Sequence, residues 1–93
     1  MYTFTFVYDS RELVTDGHHN ELEITVDMRA TRDDYEVVKV SIYDLTTHKT
    51  LDFDKLMPTD QKHLDDAVEL QAYNHAGSAY IDGIADNYFL EDS

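Results

Sequence analysis

Five histidines, twenty acids and no cysteine set the chemistry open to this 93-residue chain. His18 and His19 are adjacent, and neighbours in a strand point to opposite faces, so one ion rarely takes both. An exposed pair beside the Asp16-Gly17 turn is the plainer reading. His63 and Asp66 stand three residues apart, which places them together on a helix, where a further carboxylate would complete a divalent-metal site. A solvated helix face is the plainer account of the pair. His75 lies about 18 Å further along such a helix and cannot join them. His48 reads as a turn residue. Asp52-Phe53-Asp54 has the Asp-x-Asp spacing of some metal and nucleotide-sugar sites, but such a triplet arises easily in an Asp-rich chain and Asp54 is better explained as a cap for Lys55 to Met57. Asp82-Gly83, with Asp86 and Glu91, misses the ligand positions of a calcium loop.

Nucleophilic chemistry finds no better support. Ser10, Ser41 and Ser78 lack an elbow-like setting, and the three glycines are too far apart to cradle a phosphate. Paired carboxylates among twenty acids carry no information without geometry. A chain of this size must also build its core before it can line a pocket of a few hundred Å³. The expectation is a protein that is not an enzyme and uses no cofactor and no metal.

The charge is more informative. Twenty acids against seven bases leave a net charge of −13, with fourteen Asp to six Glu and only four Lys. Nucleic acids and anionic membranes need a basic footprint, so direct binding to either is excluded as an expectation. Helix propensity would favour Glu and Lys, so it does not account for the Asp excess. Either the surface is shaped for a basic partner, or its acidity serves solubility in salt. No apolar run approaches the ~20 residues of a membrane span, and Met1 to Tyr8 lacks the basic start of a signal peptide. A cytoplasmic location follows as the default.

The elements that would position these groups divide at Pro58, the only proline. Tyr2 to Tyr8 alternates with period two and reads as a strand, with Tyr2, Phe4, Phe6 and Tyr8 on one face. Glu21 to Ala30 alternates without a fault: Leu22, Ile24, Val26, Met28 and Ala30 face the core, and the acids face water. A polar turn at Thr31–Asp34 leads to a third strand, Tyr35 to Leu45. Simple alternation there turns Val38, Val40 and Ile42 inward and Tyr35, Val37 and Tyr43 outward. Thr50 to Phe53 is a short fourth strand.

After Pro58 the period becomes helical. Thr59 is a suitable N-cap, and Asp60 puts negative charge in the first turn, where the helix dipole favours it. Leu64, Ala67, Val68 and Ala72 form one stripe; Tyr73, Ala76, Tyr80, Ile84 and Tyr88 form another on a different face. The helix is either continuous to about Phe89 or broken near Gly77, and continuity is the preferred reading.

The expected structure is a single α+β domain over residues 1–93, an antiparallel meander of three to four strands with the C-terminal helix on one face. The expected function is a non-enzymatic acidic interaction module occupying a basic surface on a protein partner, in its sharpest form a mimic of nucleic acid. Glu21, Glu23, Asp27, Tyr35 and Tyr43 are the candidate interaction face, because acids interleaved with tyrosine suit an Arg- and Lys-rich partner. The alternative is a small acidic protein whose charge serves solubility and whose second helical stripe (Tyr73, Ala76, Tyr80, Ile84, Tyr88) forms a homodimer interface. A small metal-binding or hydrolytic protein using His63 and nearby acids is the third reading.

Overall fold

Alternation in the second strand organises the molecule. In a computed structural model, described here for the backbone of residues 1–92 and the side chains of residues 1–82, four strands and one long helix follow in order. They are β1 (Tyr2–Thr15), β2 (His18–Ala30), β3 (Tyr35–Asp44), β4 (Lys49–Leu51) and, after a 3₁₀ turn at Phe53–Lys55, α1 (Pro58–Asp92). The strands form an antiparallel meander in the order β1-β2-β3-β4. The fold is α+β, as the residue patterns predict. Leu22, Ile24, Val26 and Met28 are all fully buried beneath α1, because period-two alternation delivers every second side chain of β2 to one face.

The β1–β2 connection is a two-residue turn. β1 extends to Thr15, and Asp16 and Gly17 alone make the turn. Their φ values of 54° and 81° suit a type I′ hairpin, whose twist matches that of the flanking strands. His18 and His19 therefore open β2 instead of sitting in a loop.

β3 corrects the reading by simple alternation. Asp27 pairs with Lys39 but Met28 pairs with Val37, so Val38 is an extra residue in β3. A bulge of one residue reverses the parity of everything on its far side. Tyr35 and Val37 consequently turn inward and pack against the core, while Val38 is exposed. Tyr35 is thus not on the outer face with Tyr43. β4 begins at Lys49 and stops at Leu51, because Asp52 leads into the 3₁₀ turn; Asp54 lies inside that turn and does not cap it.

The helix start also differs from expectation. Pro58, not a residue after Thr59, is the first helical position, and the Gln61 amide donates to the Met57 carbonyl at 2.9 Å. Proline suits this position because its φ is preset and its missing N–H would have no partner there. Asp60 becomes the third helical residue and points at the sheet. From it Leu64, Val68, Ala72 and Ala79 run as one buried stripe. The helix is continuous through Gly77.

A Cβ built on Gly77 meets nothing within 4 Å. Gly77→Ala should therefore stabilise the protein by up to about 1 kcal/mol, read as a rise in thermal midpoint. An unchanged or lower midpoint would show that the backbone at 77 is not held as helix in solution.

Candidate functional site

Two buried carboxylates explain part of the acid content. Asp60 is completely buried and collects four donors from β1. The Tyr8 hydroxyl (3.0 Å) and the Arg11 amide (2.8 Å) donate to Oδ1; the Ser10 hydroxyl (2.6 Å) and the Glu12 amide (3.3 Å) donate to Oδ2. β1 is irregular here, its register with β2 breaking between Asp9 and Val14, so these amides lack their usual strand partners. The Leu13 amide donates to Ser10 Oγ at 2.9 Å. Burial alone would raise the carboxyl's pKa, but the donors outweigh it and hold Asp60 below its ordinary value. Burial first, and then the neighbouring Asp60 charge, push the Tyr8 hydroxyl up to about 12.

Asp44 is the second. It accepts from Asn20 Nδ2 at 2.9 Å and from the amides of Thr46 and Thr47 at 2.8 and 3.2 Å. Its pKa is likewise lowered: burial opposes this, and the hydrogen bonds prevail. It closes the β3–β4 turn, in which His48 takes the left-handed φ of 57°. Both carboxylates are held ionised and enclosed by donors, which suits them to scaffolding and not to proton donation.

Among the described residues no three His, Asp or Glu side chains are placed to hold a metal ion. His75 stacks on Phe4, with ring centroids 4.2 Å apart and planes 4° from parallel, and its Nδ1 is 2.8 Å from the Tyr2 hydroxyl. It is a packing side chain of the β1–α1 seam. Gly83, Asp86 and Glu91 lie outside the described side chains.

Two surfaces could meet a partner. The first is the outer face of the sheet. Glu21, Glu23, Asp27 and Tyr43 share it, since the register aligns Val7, Glu23 and Tyr43 in one cross-strand row and Thr3, Asp27 and Lys39 in another. Thr3 Oγ1 donates to Asp27 Oδ1 at 2.7 Å, which orients that carboxylate. Val7 is 57 % exposed within this acidic face.

The second is a groove between β3 and α1. The helix packs chiefly on β2 and β1 and touches β3 less, leaving Val40 36 % exposed. A cleft of 460 Å³ runs here over Val37, Val40 and Val68, with Asp34, Asp65 and Glu69 among its walls. A 210 Å³ extension reaches Phe53 and Leu64. A further 280 Å³ hollow at the β2–β3 turn is lined by Tyr35, Tyr73 and Tyr80.

The expected second helical stripe divides. Tyr73 is exposed, Tyr80 is half-buried, and Ala76 packs against the core; Ile84 and Tyr88 lie outside the described side chains. Leu70, Tyr73 and Ile81 are instead the most exposed large apolar residues of the described helix, at 61, 69 and 67 %. Their spacing brings them onto the side opposite the buried stripe.

No protein-family model, curated protein or solved structure matches the chain. Among the described residues no helix is long and apolar enough to cross a membrane.

Sequence reasoning missed the Asp60 site, although two signals pointed to it. Ser10 continues the inward phase of Tyr2, Phe4, Phe6 and Tyr8, and Asp60 occupies the third helical position, from which an acid can reach back across a helix start. Nothing comparable marked the groove, which depends on where the helix crosses the sheet.

The depressed Asp60 pKa makes stability pH-dependent. Its contribution is complete above the unfolded carboxylate value of about 3.9 and is lost as pH falls through the lower folded value. Tyr8 acts in the opposite direction: its contribution is complete below pH 10 and disappears toward about 12. Asp60→Asn should cost at least about 2 kcal/mol at neutral pH and flatten the acid limb of a melting-temperature profile, and Tyr8→Phe should flatten the alkaline limb. Profiles parallel to the wild type would refute the hub.

Proposed function

We propose that this protein is a non-enzymatic acidic interaction module that binds a basic surface on another protein. The supporting observation is the cross-strand row of Val7, Glu23 and Tyr43, flanked by Glu21 and Asp27. Solubility requires charge but gains nothing from exposing Val7 and Tyr43 among the acids. A protein interface uses both, with apolar and aromatic contact at its centre and charge around it. The net charge of −13 equals that of about 22 Å of duplex DNA at one charge per ~1.7 Å, so a nucleic-acid-binding surface is the basic partner of closest chemistry.

Affinity capture on the immobilised protein, at low and high salt and with duplex DNA as competitor, tests this reading. The expected result is a partner released by salt and by DNA, and not retained by the variant Glu21→Gln/Glu23→Gln/Asp27→Asn. Capture of nothing at low salt, or capture indifferent to those three substitutions, would refute it.

A second reading is supported by a separate observation. Acids also line the helix, at Asp65, Asp66 and Glu69, all exposed, and beside them stand Leu70, Tyr73 and Ile81. Acidity for solubility, combined with a homodimer through this side of α1, accommodates both. Association driven by apolar burial against like charge should tighten as salt rises. Sedimentation across concentration at ~0.01 M and ~1 M sodium chloride should then show a dimer favoured at high salt; a monomer in both would exclude it.

A further inference from the structure

We infer that the groove between β3 and α1 receives an extended basic segment of the partner, which adds to the sheet as a strand along the open edge of β3. The inference rests on the reading of the protein as a module for a basic partner and assigns that partner a conformation and a site.

The first observation concerns the edge. β4 pairs only with Ile42, Tyr43 and Asp44, so among the described residues no strand lies beside Tyr35–Ser41 on the side away from β2. An edge of this kind presents backbone donors and acceptors to any extended chain. Seven residues at about 3.3 Å each make a free edge of about 23 Å.

The second observation concerns what lies beneath the edge. Side chains of an added strand alternate, and every second one would descend toward the helix layer. The floor there is Val37, Val40 and Val68, and the walls carry Asp34, Asp65 and Glu69. This combination fits Lys or Arg better than any other side chain: the aliphatic stem lies along the valines and the charged head reaches a carboxylate. The other open edge offers no such room. On β1 the inward positions are Tyr2, Phe4, Phe6 and Tyr8, which pack against the core themselves, and His75 stacks on Phe4. Valines at 37 and 40, with Tyr35 at the turn end of the cleft, stand on β3 where β1 carries an unbroken aromatic row, and this makes the two edges inequivalent.

Charge selects the occupant. A second copy pairing through the same edge would bring two sets of Asp34, Asp65 and Glu69 together, and the bulge at Val38 and the charge of Lys39 oppose extended pairing between identical edges. A basic segment from a different protein escapes the first obstacle, since its charge complements these acids, and it meets a single bulge and a single Lys39 where two copies would bring two of each.

The test uses the full chain and a capped heptapeptide, Lys-Thr-Lys-Thr-Lys-Thr-Lys, followed by NMR. The expected result is slowed amide exchange confined to 35–41, with shift changes at Asp65 and Glu69. The same peptide N-methylated at every residue keeps its charge but has no backbone N–H to offer along either edge, and should bind at least about tenfold more weakly without protecting 35–41. The exposed pair Asp65→Asn/Glu69→Gln, with an unchanged melting temperature, should weaken the unmodified peptide by about fivefold to tenfold. Equal binding of both peptides, with shift changes on Glu21, Glu23 and Asp27 instead, would overturn the groove while leaving the basic-partner reading intact. Absence of binding by either peptide at low salt would overturn both. Protection of 35–41 that grows with protein concentration before peptide is added would assign the edge to a second copy and overturn the inference.

Discussion

The buried carboxylate of Asp60 is the interaction on which the two layers depend. A charge removed from water is tolerated only when donors surround it, and here β1 supplies two hydroxyls and two amides. The dependence is mutual. The irregular stretch of β1 from Ser10 to Leu13 would leave the Arg11 and Glu12 amides unpaired without the carboxylate, and the carboxylate would be untenable without that stretch. Because Asp60 is the third helical residue, the same contacts seat the start of α1 against β1, with the partial positive charge of the helix N-terminus beside the carboxylate.

Where the helix starts decides what it covers. From its seat beside β1, α1 crosses the fully buried face of β2 and leaves β3 thinly covered. The fold closes one side of its core with aromatic residues of β1 and leaves the other side open over valines. A groove and a free sheet edge thus lie together, both consequences of one anchoring contact and of a fourth strand only three residues long.

The acids fall into two groups with different physics. Asp44 and Asp60 are internal, hydrogen-bonded and held ionised, and they work as struts for a turn and a helix start. The exposed acids on the outer sheet face, the β2–β3 turn and the helix project a field that reaches roughly a Debye length, about 8 Å at physiological salt. That field attracts basic surfaces in general. In the proposed reading, discrimination among them comes from short-range features such as Val7 and Tyr43 on one face and the valine-floored groove on the other.

Much of the architecture is local information and was legible in the residues. The faultless alternation from Glu21 to Ala30, the Asp16-Gly17 turn, the change of period at Pro58 and the stripe of Leu64, Val68 and Ala72 each depend on near neighbours in the chain. They were sufficient for an antiparallel meander with a C-terminal helix. The places where that reading departed from the structure share one cause. Tyr35 changes face because an extra residue at Val38 is accommodated by pairing with β2, and pairing is not encoded in the alternation of β3 itself. Asp60 is buried because Ser10 and two amides fifty residues away converge on it. The groove exists because a helix anchored at one corner cannot cover all four strands. Sequence period determines which face of an element is apolar; which elements meet, in what register and with how much left uncovered, is settled only when their side chains compete for the same space.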